Sequence, residues 1–124
     1  MELIRKEVKR LGSATRFSMQ GLQHAWRGEA AFRFEVILAV LMLPVALVLD
    51  VAPLERIALV ASIFLVLIVE LINSAVEAVV DRIGPEHHPL SGRAKDLGSA
   101  AVFLALLLAL FVWLTILATT FRII

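Results

Sequence analysis

Apolar residues in this chain gather into long unbroken runs, not into the alternation of a half-buried strand or the spaced stripe of a soluble helix. Val36 to Leu49 forms one run, bounded by Glu35 and Asp50, and Ile57 to Val69 forms a second. A third, Gly98 to Phe121, carries no charged residue over 24 positions. It alone meets the ~20-residue length of a membrane-spanning helix. The first two runs are short enough for buried helices of a soluble bundle. Such a bundle needs a polar face on every helix, and the third run has none. The pattern predicts an all-α membrane protein in one domain, with transmembrane helices at about 34–49, 55–80 and 98–121 and a cytoplasmic loop at 82–97.

Ahead of the spans, residues 2–29 read as an amphipathic helix. At ~100° per residue, Ile4, Val8, Leu11, Ala14, Leu22, Ala25 and Trp26 share one face, and Arg5, Lys6, Lys9, Arg16, Gln20, Gln23 and Arg27 share the other. This predicts a helix lying on the membrane surface, and a plain anchor is its simplest role. Two residues do not fit a plain anchor. Phe17 falls on the polar side, and Glu29 falls on the apolar side, toward the bundle. Each has a use if a ligand sits above the surface.

Composition sharpens the membrane reading. The chain is 60% hydrophobic and 19% charged, more apolar than the roughly half expected of a soluble domain, with a mean hydropathy of +0.92. A net charge of +1 offers no field to attract nucleic acid, and no nucleic-acid partner is expected. The absence of cysteine excludes disulfides and thiol chemistry. No cleavable signal peptide is expected, because charges and not an apolar core come first. Lysine and arginine set the orientation. Arg5, Lys6, Lys9, Arg10, Arg16, Arg27 and Arg33 precede the first span, Arg56 stands alone in the first loop, and Arg82, Arg93 and Lys95 occupy the second. The N-terminus and the second loop are therefore expected in the cytoplasm, with the C-terminus outside.

The end of the second span departs from the pattern. In VELINSAVEAVVD (Val69 to Asp81), Glu70, Asn73, Ser74, Glu77 and Asp81 fall within an arc of about 100° while the other sides stay apolar. A carboxylate near a bilayer centre costs on the order of 2.5–3.5 kcal/mol, so it faces a partner, water or a site. A helix merely emerging into water would turn polar on every side, yet Val76, Ala78, Val79 and Val80 do not. Clustered carboxylates suit a hard cation such as Mg²⁺, which typically takes one or two carboxylates together with substrate phosphates. Arg93 and Lys95 follow on the same side of the membrane. Adjacent His87 and His88 without cysteine are a weak zinc signal. GxxxxGK[ST], GxGxxG and the kinase DFG are all missing. From the residues alone an ion-conducting oligomer or a structural membrane subunit stays open beside an enzyme.

GEAAFRFE (Gly28 to Glu35), VELINSAVEAVVDRIG (Val69 to Gly84) and EHHPLSGRAKDLGSAAV (Glu86 to Val102) closely resemble the bacterial integral-membrane diacylglycerol kinases. The likeness runs almost the full length of the chain. The undecaprenol kinases of Gram-positive bacteria share the carboxylates and the AKD triplet and differ in lipid; the GRAKDLGSAAV wording is closer to the Gram-negative diacylglycerol type. The resemblance implies a homotrimer in the bacterial inner membrane that moves the γ-phosphoryl of MgATP onto diacylglycerol, giving phosphatidic acid. It implies Glu70 as general base, Asn73 orienting the base or the ligands, and Glu29 and Glu77 holding the Mg²⁺. Lys95, with Asp96 beside it, would lie at the phosphate chain, and Arg10, Phe17, Glu86, His87 and His88 around the nucleotide. Ala31, Arg33, Glu35, Ser99 and Trp113 would join Glu70 on the lipid side. Phe17 stands where the family has tyrosine, so stacking survives there and a hydroxyl contact does not. His87 stands at an aromatic position and Phe34 at one often polar.

The orientation is directly testable. A reporter fused after Ile124 is expected to signal from outside the cytoplasm, and a cytoplasmic signal would overturn the three-span arrangement.

Overall fold

The computed structural model describes all 124 residues, and its regular elements are four helices without a strand: α1 (Glu2–Gly28), α2 (Ala30–Val48), α3 (Pro53–Ile83) and α4 (Pro89–Thr120). The last three are each long and apolar enough to cross a membrane, and the chain is a multi-pass membrane protein. Each junction is short and is closed by a side chain that satisfies the backbone groups a helix end leaves unpaired.

Glu29 alone, in an extended conformation, separates α1 from α2. Arg33, one turn into α2, donates back to the carbonyls of Trp26 at 2.8 Å and Arg27 at 3.1 Å. Arg56 does the same at the far side, donating to the carbonyls of Ala46 and Leu47 at 2.7 Å and of Leu49 at 3.0 Å. Pro53 opens α3, and the Glu55 carboxylate accepts from the Ala52 N–H at 3.0 Å. Between α3 and α4, His88 Nδ1 accepts from the Leu90 N–H at 3.1 Å and Pro89 takes the first helical position.

That last cap changes the expected layout. Residues 82–97 are not a loop throughout: only Gly84 to His88 lie outside helices, and α4 starts at Pro89. The reason is local. Proline is favoured in a first helical turn, where its missing N–H would have no partner in any case, and His88 supplies the cap. Hydropathy marks where a helix enters hydrocarbon, not where its backbone begins. Arg93, Lys95 and Asp96 consequently stand on a rigid helix. α2 likewise begins at Ala30, ahead of the apolar run.

The core lies between α2, α3 and α4 and is built from Ala39, Ala46, Leu59, Ile63, Trp113 and Ile116. The two alanines let α2 approach closely, as small residues do where lipid supplies no hydrophobic drive. One polar link crosses this core. Trp113 Nε1 donates to Ser62 Oγ at 3.1 Å, and the Ser62 hydroxyl donates to the Leu59 carbonyl at 2.8 Å, both buried. The indole N–H would otherwise be stranded in an apolar medium.

Replacing Ser62 with alanine is expected to cost about 1–3 kcal/mol, the range for a buried donor left without its partner. It should appear as faster heat inactivation of the detergent-solubilised protein, partly recovered when Trp113→Phe removes the donor as well. An unchanged inactivation rate for Ser62→Ala would show that the link carries no stability.

Candidate active site

The face that α3 turns inward runs through Leu59, Ser62, Ile63, Val66, Glu70, Asn73 and Val80. These positions follow the spacing of three, four and seven residues expected of one helix side. The same seam is apolar at its first end and polar from Glu70 onward. Glu70 retains only 4% of its exposure and Asn73 8%, whereas Asp81 is exposed. A helix leaving the membrane explains Asp81. It does not explain a carboxylate packed in a core position.

Three elements bring carboxylates to this end of the bundle. Glu29 comes from the α1–α2 junction, Glu35 from α2, and Glu70 and Glu77 from α3. Glu29 borders the cleft between α1 and α3, Glu35 lines the groove among α2, α3 and α4, and Glu77 accepts from Asn73 beside Glu70 on α3. Neither of the chain's ion pairs, Arg10 with Glu7 and Lys95 with Asp81, involves any of the four. Polar satisfaction is incomplete as well. Asn73 Nδ2 donates to Glu77 Oε1 at 3.4 Å, but Asn73 Oδ1, Ser74 Oγ and Glu35 Oε2 are buried without a partner. Native interiors rarely leave such groups unpaired, so each calls for an explanation.

Two hollows flank the carboxylates. A cleft of about 700 Å³ lies between α1 and α3, bordered by Ser18, His24, Glu29, Ser74 and Ala78. An apolar groove of about 250 Å³ runs among α2, α3 and α4 past Leu38, Met42, Val66, Leu110 and Trp113, and Glu35 is the one residue of its lining that is not hydrophobic. No three or more His, Asp or Glu side chains converge on a single ion position. The carboxylates therefore do not form a closed metal cage. They suit an ion that brings oxygen ligands of its own, as Mg²⁺ does with phosphates.

Of the residues singled out from sequence, the structure gathers Glu29, Glu35, Glu70, Asn73 and Glu77. Lys95 sits across the α3–α4 seam from Asp81, Nζ to Oδ1 2.8 Å, with both side chains exposed. Asp96 and Ser99 are exposed on α4. Arg10 and Phe17 lie on the exposed surface of α1, where Arg10 approaches Glu7 at 3.9 Å and the Arg16 guanidinium lies 5.4 Å from the Phe17 ring centre. Glu86 folds its carboxylate back over Gly84, His87 is exposed, and His88 is engaged as the α4 cap. Ala31 is exposed, Arg33 caps α1, and Trp113 is buried in the core. Sequence reasoning gave Ser18 and His24 no role, although both border the cleft. Their only signal was polarity on α1 near Glu29.

A carboxylate cluster open to a polyoxygen ligand on one side and to an apolar groove on the other suits the joining of a charged and a greasy substrate. Comparison with known proteins bears on this directly. The family model for prokaryotic diacylglycerol kinase matches residues 16–117. The chain is 54% identical over 110 residues to the diacylglycerol kinase of Pseudomonas aeruginosa, covering 89% of each protein. It is 50% identical over 112 residues to that of Escherichia coli K12, covering 90% of this chain and 92% of the relative. To the Helicobacter pylori J99 diacylglycerol kinase it is 43% identical over 108 residues.

Proposed function

The chain belongs to the prokaryotic diacylglycerol kinase family, and on that premise we propose which of its residues carry the phosphorylation of diacylglycerol by ATP. The observation that carries the assignment is the burial of Glu70 on the inward face of α3 outside either of the chain's ion pairs. Glu70 is the general base. It accepts the proton of the diacylglycerol hydroxyl while that oxygen bonds to the γ-phosphorus, the bond from phosphorus to the β,γ-bridging oxygen breaks, and ADP departs. Phosphoryl transfer asks a protein chiefly for positioning and charge neutralisation, with a carboxylate to take the proton.

Glu29 and Glu77 hold Mg²⁺ together with the nucleotide phosphates. The support is that neither carboxylate is in an ion pair and that no third protein ligand joins them. Bound there, the ion offsets negative charge on the phosphates. Lys95 supplies a second positive charge, since an exposed pair with Asp81 is weakly held and readily exchanged for phosphate oxygens. Asp96 lies beside it, Arg10, Phe17, Glu86, His87 and His88 surround the nucleotide, and Asn73 orients Glu77. Glu35 marks the mouth of the apolar groove that takes an acyl chain, with Ala31, Arg33, Ser99 and Trp113 on the lipid side.

One chain with three spans is too small to enclose ATP, and a homotrimer completes each site. α1, whose Ile4, Leu11, Leu22 and Trp26 are exposed, lies along the cytoplasmic face of the inner membrane. The N-terminus and the turn before α4 are cytoplasmic, and the C-terminus is periplasmic.

Two substitutions separate the roles. Glu70→Gln is expected to fold and to bind MgATP normally, yet to phosphorylate diacylglycerol at least about a hundredfold more slowly. Glu77→Gln is expected to lose activity through its Mg²⁺ dependence while remaining assembled. Near-normal turnover in Glu70→Gln would reduce Glu70 to a structural carboxylate, and an unaltered Mg²⁺ response in Glu77→Gln would remove the metal assignment.

A further inference from the structure

We propose that Gly98 is a positioning residue for phosphoryl transfer: its bare Cα is the surface against which the Asn73 carboxamide is set, and through that carboxamide it fixes Glu77. The proposal rests on Glu77 being a ligand of MgATP, as read above.

The geometry is specific. Asn73 lies buried on α3 and donates from Nδ2 to Glu77 Oε1 at 3.4 Å. Its Oδ1, which has no hydrogen-bond partner, points at Gly98 on α4. A Cβ at Gly98 would overlap Asn73 Oδ1 and stand 3.2 Å from Cγ. The carboxamide has little room to give way, because turning it aside separates Nδ2 from Glu77. The helix has little room either. Trp113 is bonded to Ser62 in the buried core on one side of the contact, and α3 and α4 pack against each other along the seam. What a side chain at Gly98 displaces is therefore the amide.

Intrinsic preference points the other way. Glycine inside a helix is less favourable than alanine, so alanine should improve α4 wherever space allows. Gly92, on the same helix, is such a position: a Cβ there meets nothing within 4 Å. The two glycines are thus an internal comparison, one free and one pressed against a polar group of the site.

The test uses the full-length protein reconstituted with diacylglycerol and MgATP. Gly98→Ala is expected to raise the apparent KM for MgATP about 10–100-fold, the usual effect of disturbing a residue that orients a metal ligand, with the KM for diacylglycerol unchanged. Gly92→Ala should alter neither. The decisive arm is a double-mutant cycle. Once Asn73→Ala removes the carboxamide, the nearest atom left to a Cβ at position 98 is the Cβ of residue 73, at 3.8 Å, an ordinary van der Waals contact. Adding Gly98→Ala to Asn73→Ala should then cost nothing further in MgATP binding or heat resistance. Unchanged MgATP kinetics in Gly98→Ala, or the same loss with and without Asn73→Ala, would overturn the proposal. Should Gly98→Ala alone fail to assemble, recovery of assembly by Asn73→Ala supports the proposal and continued failure refutes it. Glu77→Gln measured alongside keeps the readings apart: a normal Mg²⁺ response there removes the metal assignment, whereas the cycle between Gly98 and Asn73 is read on heat resistance independently of it.

Discussion

Glu70 occupies a core position of α3, and neither of the chain's ion pairs reaches it. An ionised group held away from water needs a compensating charge, or folding must carry the cost of its desolvation. Nothing in the chain supplies that charge. The same shortage reaches Glu35, Asn73 and Ser74, each with a buried oxygen lacking a partner. The site is thus built short of positive charge and of hydrogen-bond donors, a deficit that a magnesium nucleotide and a lipid hydroxyl are suited to fill. Local stability is traded for binding, as is common where polar groups stand inside a membrane.

What holds this arrangement is the seam between α3 and α4. Three links cross it: Ser62 with Trp113, Asn73 against Gly98, and Asp81 with Lys95. From Ser62 to Asp81 the helix advances roughly 28 Å, close to the ~30 Å thickness of the hydrocarbon layer. The links therefore lie at three depths: an indole bond in the apolar core, an amide packed on glycine at the level of the carboxylates, and an exposed ion pair at the rim. Each suits its surroundings. A buried N–H must be paired where water is absent, whereas the rim pair adds little stability and is free to exchange partners. On the proposed assignment, depth along one seam also sorts the chemistry, with acyl chain, hydroxyl and phosphates following one another toward water.

Much of this is legible in the chain. Unbroken apolar runs announce the spans because lipid imposes length and continuity on a helix, and the one-sided stripe from Glu70 to Asp81 announces a site because solvent exposure does not select one face. The start of α4 is less legible. A polar helix turn and a polar loop share a composition, and only the Pro89 and His88 cap distinguishes them. Ser62 and Gly98 are harder still. A lone serine or glycine in a hydrophobic run has no meaning until the facing helix brings Trp113 or Asn73 against it. Burial is likewise invisible in sequence. The stripe treats Glu70 and Asp81 alike, and tertiary packing puts the first in the core and leaves the second exposed.

The central claim is that phosphates and metal gather at the Glu77 level of α3 while the lipid hydroxyl lies deeper, at Glu70, roughly 10 Å along the helix. Paramagnetic broadening of amide NMR signals tests it most directly, with Mn²⁺ replacing Mg²⁺ and a non-hydrolysable ATP analogue bound to the reconstituted protein. The account predicts the strongest broadening at Glu29 and Glu77, a weaker effect at Glu70, and none at Ser62 or the Trp113 indole. Broadening centred on Asp50 and Glu55 at the opposite end of the bundle, or spread without regard to depth, would contradict it.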